Sequence, residues 1–266
     1  MTKGHRRQIP SLEALPHPIY ARPESWGREG STTEWHCHCW GQLTYASQGV
    51  LSVSTNDGYY TAPPQFAIWV PSHTQHKVIS TGAATMQSLY VDNRLLREEK
   101  WAFPFVCKVT PLCRELIVRF CQSDPDYTQS EQQSRLVQVL IDELNQLKEN
   151  HSKLMMPKDT RLVTLCRYLQ AHPDSQLSIE ALGEKINLTG RSISRHFRAE
   201  TGITFQQWRQ RLRLYHALSL LESGDSVTNV ALECGYDSIS AFVAAFKKHF
   251  GITPGQFFPS DPKSPL

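Results

Sequence analysis

Apolar and polar residues alternate with two different periods along this chain, and the change of period divides it. Between Glu34 and Val91 apolar residues recur at every second position in short runs: Gln42 to Tyr45, Val50 to Thr55, Tyr59 to Thr61, Phe66 to Val70, His76 to Ser80 and Met86 to Val91. Asn56-Asp57-Gly58 and Pro63-Pro64 punctuate them. Closely spaced period-two runs with such turn residues predict a small antiparallel barrel or sandwich. From Thr110 the period lengthens to that of a helix. Thr110 is placed to cap a helix with Leu112, Leu116, Ile117 and Phe120 on one stripe. After a Ser123-Asp124-Pro125-Asp126 break, Ser130 to Asn150 carries Leu136, Val139, Leu140, Leu144 and Leu147, close to an a/d seam. Such a stripe packs either on the outside of the β unit or against a second copy, and the period alone does not choose.

The last third contains one pattern twice. The segment from His196 to Trp208 is echoed 49 residues later from Ala245 to Phe257. In each copy a helix closes on a glycine and a threonine starts the next. Ser178 and Thr189 are placed to cap two short helices, the second running to about Glu200, because a side-chain oxygen there satisfies N–H groups that have no partner inside the helix. The second copy runs from a Ser226 cap through Val230 and Ala231 to a turn at Gly235-Tyr236-Asp237, then from Ser238 through Phe242 and Phe246. Two helices joined by a short turn make a helix-turn-helix, whose second helix enters the major groove. Helical spacing puts Ile193, His196 and Phe197 inward and leaves Gly190, Arg191, Ser192 and Arg195 exposed. Between the copies, Thr204 to Glu222 bears an apolar stripe of Phe205, Trp208, Leu212, Tyr215, Leu218 and Leu221. At about 1.5 Å per residue this helix is roughly 27 Å long. That length approaches one turn of B-DNA, about 34 Å, so the rod can offer two helices to successive major grooves.

Charge follows the same division. The 266 residues carry 28 Lys+Arg against 25 Asp+Glu; 13 basic and 10 acidic residues lie from Pro157 onward and 15 of each before it. Lys185 to Arg213 alone holds seven basic residues and one acidic, Glu200, a stripe suited to phosphate neutralisation.

Arg211-Leu212-x-x-x-x-Ala217-x-x-Leu220-Leu221, Ser226-Val227-x-x-Val230-Ala231-x-x-x-Gly235-Tyr236-x-Ser238-x-Ser240-x-Phe242-x-x-x-Phe246-Lys247-x-x-Phe250-Gly251-x-Thr253-Pro254 resembles the AraC/XylS family of bacterial transcription regulators over roughly residues 158 to 258. The resemblance implies DNA contacts from Thr189, Gly190, Arg191, Ser192, Arg195 and Arg198 in the first unit. In the second it implies Asp237, Ser238, Ile239, Ser240 and Lys247. It also implies that the helix around residues 130 to 150 pairs two protomers, with RNA polymerase as a further partner. Two positions depart from the pattern: Gly183 stands where alanine is usual, and Ala244 replaces the long polar residue often used to read bases. The second helix is therefore expected to contribute more phosphate contact than base reading.

The alternating region contains a second motif. His36-x-His38-x-x-x-Gln42, six residues and Gly49, then Pro71-x-His73-x-x-His76, resembles the two motifs of the cupin barrel over roughly residues 30 to 92, with Gln42 where a carboxylate is usual and His73 where glycine is usual. In a strand His36 and His38 share a face, and a barrel brings His76 opposite. Two readings stand. The three imidazoles hold a divalent metal such as Zn, Fe, Mn or Ni, or they hydrogen-bond a small effector in a pocket lined by His36, His38, Gln42, Trp69 and His76. Cys37 and Cys39 should point the other way, either serving a redox or thiol-metal sensor or packing outward against a helix as two small apolar side chains. Trp35, Trp40 and Tyr45 are candidates for pocket floor or for core.

These readings give an α+β chain in three parts: a cupin-like effector-sensing domain over 1–109, a helical dimerisation and linker segment over 110–156, with His151-Ser152-Lys153 to Pro157-Lys158 as linker, and an all-α double helix-turn-helix domain over 157–266. The function expected is a sequence-specific transcription regulator controlled by a small molecule, with promoter DNA, effector and a second copy as partners. No acid/base pair beside the histidines suggests an enzyme; the competing class is a metal-dependent cupin enzyme with a DNA-binding tail. The basic Met1 to Arg7 lacks an apolar signal core, no run of about 18 apolar residues suggests a span, and seven scattered cysteines fit a reducing compartment, so the protein is expected in the cytoplasm.

Overall fold

The computed structural model describes residues 5–7, 9, 12–96, 98–124, 127, 131–150 and 153–258. Met1–Gly4, Pro125, Asp126, Ser130, His151 and Ser152, on which some expectations above fall, lie outside them. The chain divides into two compact units, Met1–Lys153 and Leu154–Leu266.

The first unit is two facing β-sheets. Its strands are β1 (His5–Arg7), β2 (Ile19–Trp26), β3 (Ser31–Thr33), β4 (Gly41–Gln48), β5 (Leu51–Thr55), β6 (Gly58–Ala62), β7 (Phe66–Val70), β8 (His76–Ser80), β9 (Ala84–Val91), β10 (Phe105–Lys108) and β11 (Glu149–Asn150). One sheet runs β1-β3-β8-β5-β6 and the other β11-β10-β7-β4-β9-β2. Every alternating run read from the sequence lies on a strand. β2 was not foreseen, because Pro23 interrupts its pattern; proline is tolerated since β2 is the outermost strand of its sheet. Leu51, Val53, Tyr60 and Val78 from one sheet meet Ala46, Ile68, Val70 and Met86 from the other in the inner core.

Successive strand residues face opposite ways. The partners of these inward residues therefore point out of the second sheet, where Leu43, Tyr45, Ala67, Trp69 and Leu89 form a second core with two helices. The helices are α1 (Pro111–Cys121), capped by Thr110, and α2 (Glu131–Gln146). The leucine seam is mostly used here: Leu140, Leu144 and Leu147 are buried in this core, Leu136 packs against its edge, and Val139 is exposed. The helix ends sooner than expected because Glu149–Asn150 turns back to pair with β10.

The second unit has seven helices among its described residues: α3 (Thr160–Ala171), α4 (Ile179–Glu184), α5 (Gly190–Thr201), α6 (Phe205–Glu222), α7 (Val227–Glu233), α8 (Ile239–Phe250) and α9 (Pro254–Phe257). Side-chain oxygens of Ser178, Thr189, Thr204, Ser226 and Ser238 each accept a hydrogen bond from the backbone N–H three residues on. The foreseen caps thus close the foreseen helices. Gly202 and Gly251 end α5 and α8 in the left-handed conformation, with φ of 76° and 82°. α6 buries Phe205, Trp208, Leu212, Tyr215, Leu218 and Leu221 as the stripe required, and also Leu214 and Ala217, because helices pack on more than one side of it. Phe197 meets Phe205 and Trp208 edge to face, and Phe246 meets Phe257 in the same way.

Candidate nucleic-acid interface and histidine cluster

On α5 the buried residues are Ile193, Phe197 and Thr201, which turns the remaining face to solvent. Thr189, Arg191, Arg195 and Arg198 are exposed, while Gly190 and Ser192 are partly covered. His196, expected inward, is half-buried, with its ring Nε2 3.1 Å from Arg195 Nη2. On α8, Phe242 and Phe246 are buried. Asp237, Ser238, Ile239, Ser240, Ala244 and Lys247 are exposed.

Arg191, Arg195 and Arg198 border an open groove of about 730 Å³ whose far wall is Thr204, Phe205 and Gln206 at the start of α6. A helix N-terminus carries unpaired N–H groups and a partial positive charge. Three arginines beside it make this groove suited to an anion. The sequence stripe had marked the arginines but not the helix end, which adjoins them only once α5 and α6 pack. Glu200, the one acidic residue of that stretch, is turned away: its Oε2 accepts from the Lys158 and Asp159 N–H groups at 2.6 and 3.0 Å.

Two arginines of the stripe, Arg209 and Arg213, are partly buried and spend guanidinium donors on backbone carbonyls rather than keeping them for phosphate. Arg209 donates to the carbonyls of Leu177, at 2.8 Å, and Ser175. Arg213 donates to Ser175 O at 2.9 Å and Gly235 O at 3.4 Å. Carbonyls at the turns before α4 and after α7 need donors, and a guanidinium has five. Arg213 thereby ties α6 to both helix-turn-helix units.

The histidines of the first unit converge although the backbone reason given for it was wrong. The segment from Glu34 to Trp40 is not a strand: only His36 is paired, in an isolated bridge with His76, each accepting the other's N–H at 2.9–3.0 Å. His38 is held separately, its carbonyl accepting from His73 N–H at 2.7 Å. The rings nevertheless meet, with centroids of His36 and His76 4.2 Å apart and those of His38 and His76 5.1 Å apart.

Each Nδ1 lies against a backbone carbonyl: His36 on Glu34 O at 2.9 Å, His38 on Trp40 O at 2.7 Å, His76 on Thr74 O at 2.8 Å. A carbonyl oxygen only accepts, so each Nδ1 carries the ring proton and donates, leaving Nε2 as a bare lone pair. Gln42 lies between them, its side-chain carbonyl 3.0 Å from His38 Nε2 and 3.3 Å from His76 Nε2, and its amide donates to Thr44 Oγ1 at 3.0 Å. Burial pushes the His36 imidazole down to about 4 and His76 to about 3, with the neighbouring imidazoles adding to it, and lowers His38 too. All three are neutral at pH 7.

The surrounding wall includes Trp40, one of the candidates for pocket floor, and Tyr90 and Arg22, which the sequence reading missed. Trp40 stacks on His38 at an interplanar angle of 7°, and Tyr90 adjoins both. Arg22 donates to Tyr90 Oη at 2.7 Å and pairs with Glu24 at 2.5 Å. Alternation along β2 was the available signal, hidden by Pro23. Trp69 is not part of the pocket. It lies on the opposite face of its sheet from Gln42, and its indole N–H donates to Trp101 O at 2.9 Å in the outer core. Tyr45 shares that outer core. Cys37 and Cys39 are exposed rather than packed under a helix and are not among the donor atoms that cluster with the histidines, and Trp35 is exposed at 39%.

Comparison with known proteins accords with this division. A helix-turn-helix domain model matches residues 182–259, and a model of the AraC-like ligand binding domain matches residues 19–152. The HTH-type transcriptional regulator NimR of Escherichia coli is 32% identical over 234 residues, 87% of this chain and 84% of that one. The HTH-type transcriptional activator RhaS of Escherichia fergusonii is 37% identical over 97 residues, 36% of this chain and 35% of its own. Among solved structures, fatty-acid-bound ToxT from Vibrio cholerae is 11% identical with a TM-score of 0.39 over 96% of this chain and all of that one, too distant to carry a ligand across. The chain belongs to the AraC family: it is a helix-turn-helix transcriptional regulator with an AraC-like ligand-binding domain ahead of its DNA-binding domain.

Proposed function

We propose that α5 is the principal base-reading helix and that the histidine end of the two-sheet unit receives the effector. Arg191 and Arg195, one helical turn apart on the exposed face, reach base edges. Arg198, Thr189, Gly190 and Ser192, with the start of α6, hold phosphates. Asp237, Ser238, Ile239, Ser240 and Lys247 on the second unit contribute mainly backbone contacts, since Ala244 has no polar reach. The effector site comprises His36, His38, Gln42 and His76, with Trp40, Tyr90 and Arg22 as its wall. The observation that carries this reading is the single duplicated scaffold whose two exposed faces differ so sharply in charge. The chain acts as a regulator and not as an enzyme, in the cytoplasm, with autonomous folding expected for 157–266, and RNA polymerase is a further partner at the promoter. The segment 110–156 pairs two protomers. Because Leu140, Leu144 and Leu147 are already buried against their own sheet, that pairing uses the exposed Leu112 and Val139.

The test is a pair of variants in the full chain. An effector must bind one conformation better than another to shift anything, and coupling between two sites is typically about 1–3 kcal/mol. His38→Ala should keep effector-free affinity for the upstream DNA while abolishing the effector-dependent change. Arg195→Ala should weaken DNA binding by about 1–3 kcal/mol and relax preference at particular base pairs. Footprinting at one fixed salt concentration reads both. A folded His38→Ala protein with a normal response removes the sensing role, and unchanged discrimination by Arg195→Ala removes the base-reading role.

A further inference from the structure

The geometry points to a divalent transition-metal site at His36, His38 and His76, with the Gln42 side-chain oxygen as the fourth donor. Three observations carry it. First, one potential donor nitrogen from each ring lies within 4.8 Å of the other two. Tetrahedral zinc with Zn–N near 2.0–2.1 Å sets two nitrogens roughly 3.4 Å apart, so a small tilt of each ring closes the set. Second, the tautomer is already the ligating one. Each Nδ1 donates to a main-chain carbonyl, the outer-shell arrangement that orients metal-bound histidines and exposes Nε2 as the donor. Third, the cluster is unsatisfied without a cation. His36 Nε2 is buried with no hydrogen-bond partner. Gln42 Oε1, an acceptor, lies against two further lone pairs at 3.0 and 3.3 Å. Rotating the Gln42 amide by a half-turn would aim its two N–H groups at His38 and His76, but His36 Nε2 would remain bare. A cation among the four atoms satisfies all of them at once.

Three imidazoles and one amide oxygen form a borderline, nitrogen-rich set of the kind that suits zinc, cobalt, nickel, copper or ferrous iron better than calcium or magnesium. The set is neutral, so the bound ion keeps its full charge. The exposed thiols of Cys37 and Cys39 take no part, because neither sulfur belongs to the set of donor atoms within 4.8 Å of one another. This site lies within the proposed effector pocket, but its chemistry does not depend on any effect on transcription. Metal binding without a transcriptional response would sink the sensing role alone, and an effector response from a folded protein that takes up no metal would sink only the metal.

The experiment uses the full chain without an affinity tag, dialysed against excess Zn²⁺ or Co²⁺ and then against metal-free buffer. Expected are one metal per chain, intense visible Co²⁺ absorption of a four-coordinate site, and a Tm that rises with Zn²⁺ and falls back with chelator, as mass action requires of a ligand that binds only the folded state. His36→Ala, chosen because this residue is only half-buried, should lower affinity on the order of 100-fold, with unchanged circular dichroism showing that the fold survives. Gln42→Glu places a charge on the ion and should tighten binding about 10-fold or more. Cys37→Ser/Cys39→Ser should change nothing. Stoichiometry near zero in the folded wild-type protein overturns the proposal. So does undiminished affinity in His36→Ala, or binding that disappears with the two thiols.

Discussion

The two helix-turn-helix units have the same skeleton and different surfaces. Ile193 and Phe197 of α5 correspond to Phe242 and Phe246 of α8, all four at 0% exposure, and the caps Thr189 and Ser238 and closing glycines Gly202 and Gly251 fall in register. Thr204 and Thr253 each start the following helix with a capping box completed by Gln207 and Gln256. Outward, Arg191, Arg195 and Arg198 stand opposite Ser240, Ala244 and Lys247. Burial and capping fix the inner half of each helix, while the outer half is free to differ. The duplicated interior therefore says where DNA can be met, and the unequal exterior says which helix reads sequence.

The units also differ in one buried detail. Ser178 to Thr189 spans 11 positions and Ser226 to Ser238 spans 12, so the first turn is one residue shorter. Asn187 takes the left-handed conformation there, as Gly235 does in the second. The tighter turn brings Leu188 O to where a Cβ on Gly183 would lie, 2.1 Å away. Glycine in place of the usual alanine is the consequence.

The comparison can be broken most severely at its shared interior. Phe197→Ala and Phe246→Ala each remove a fully buried ring and should each cost about 3–5 kcal/mol. Urea unfolding of the second unit should report similar losses from either side; a loss below about 1 kcal/mol for one of them would mean that the two copies do not pack alike. A sharper test is the turn. Gly183→Ala should destabilise by about 1–3 kcal/mol, since the added methyl meets backbone and cannot be accommodated by a side-chain rotation. Inserting one residue after Asn187 should relieve most of that loss, and thermal unfolding of the single and combined variants decides it. The smallest effects lie on the surface. Arg191→Ala should weaken DNA binding by about 1–3 kcal/mol in a base-dependent way, whereas Lys247→Ala should weaken it evenly across sequences and reduce the salt slope by about 1. Equal base dependence for the two would end the distinction between reading and holding.

Legibility differed between the units for a physical reason. Helix caps and apolar stripes act over three or four residues, so the second unit could be laid out from Ser178 to Phe257 almost as observed. The first unit depends on which strands pair. Pro23 concealed β2, and with it Arg22 and Glu24, whose charges are tolerable there only because they meet each other and Tyr90. The three histidines were found by their spacing, yet what brings His36 to His76 is a reciprocal pair of main-chain hydrogen bonds across 40 positions rather than a strand.

By itself the sequence determined the two periods, the caps, the repeat and the residue types that carry chemistry, because each is written in short-range pattern. Direction was decided only in three dimensions. Trp69 faces the helices because its neighbours Ile68 and Val70 fill the inner core. Arg209 and Arg213 turn from the expected phosphates to carbonyls that folding would otherwise leave without donors. The histidine lone pairs point at one another because three separate carbonyls claim the opposite ring nitrogens. Each outcome depends on a partner remote in the chain or on a backbone path that no local pattern encodes, and so needed the tertiary structure.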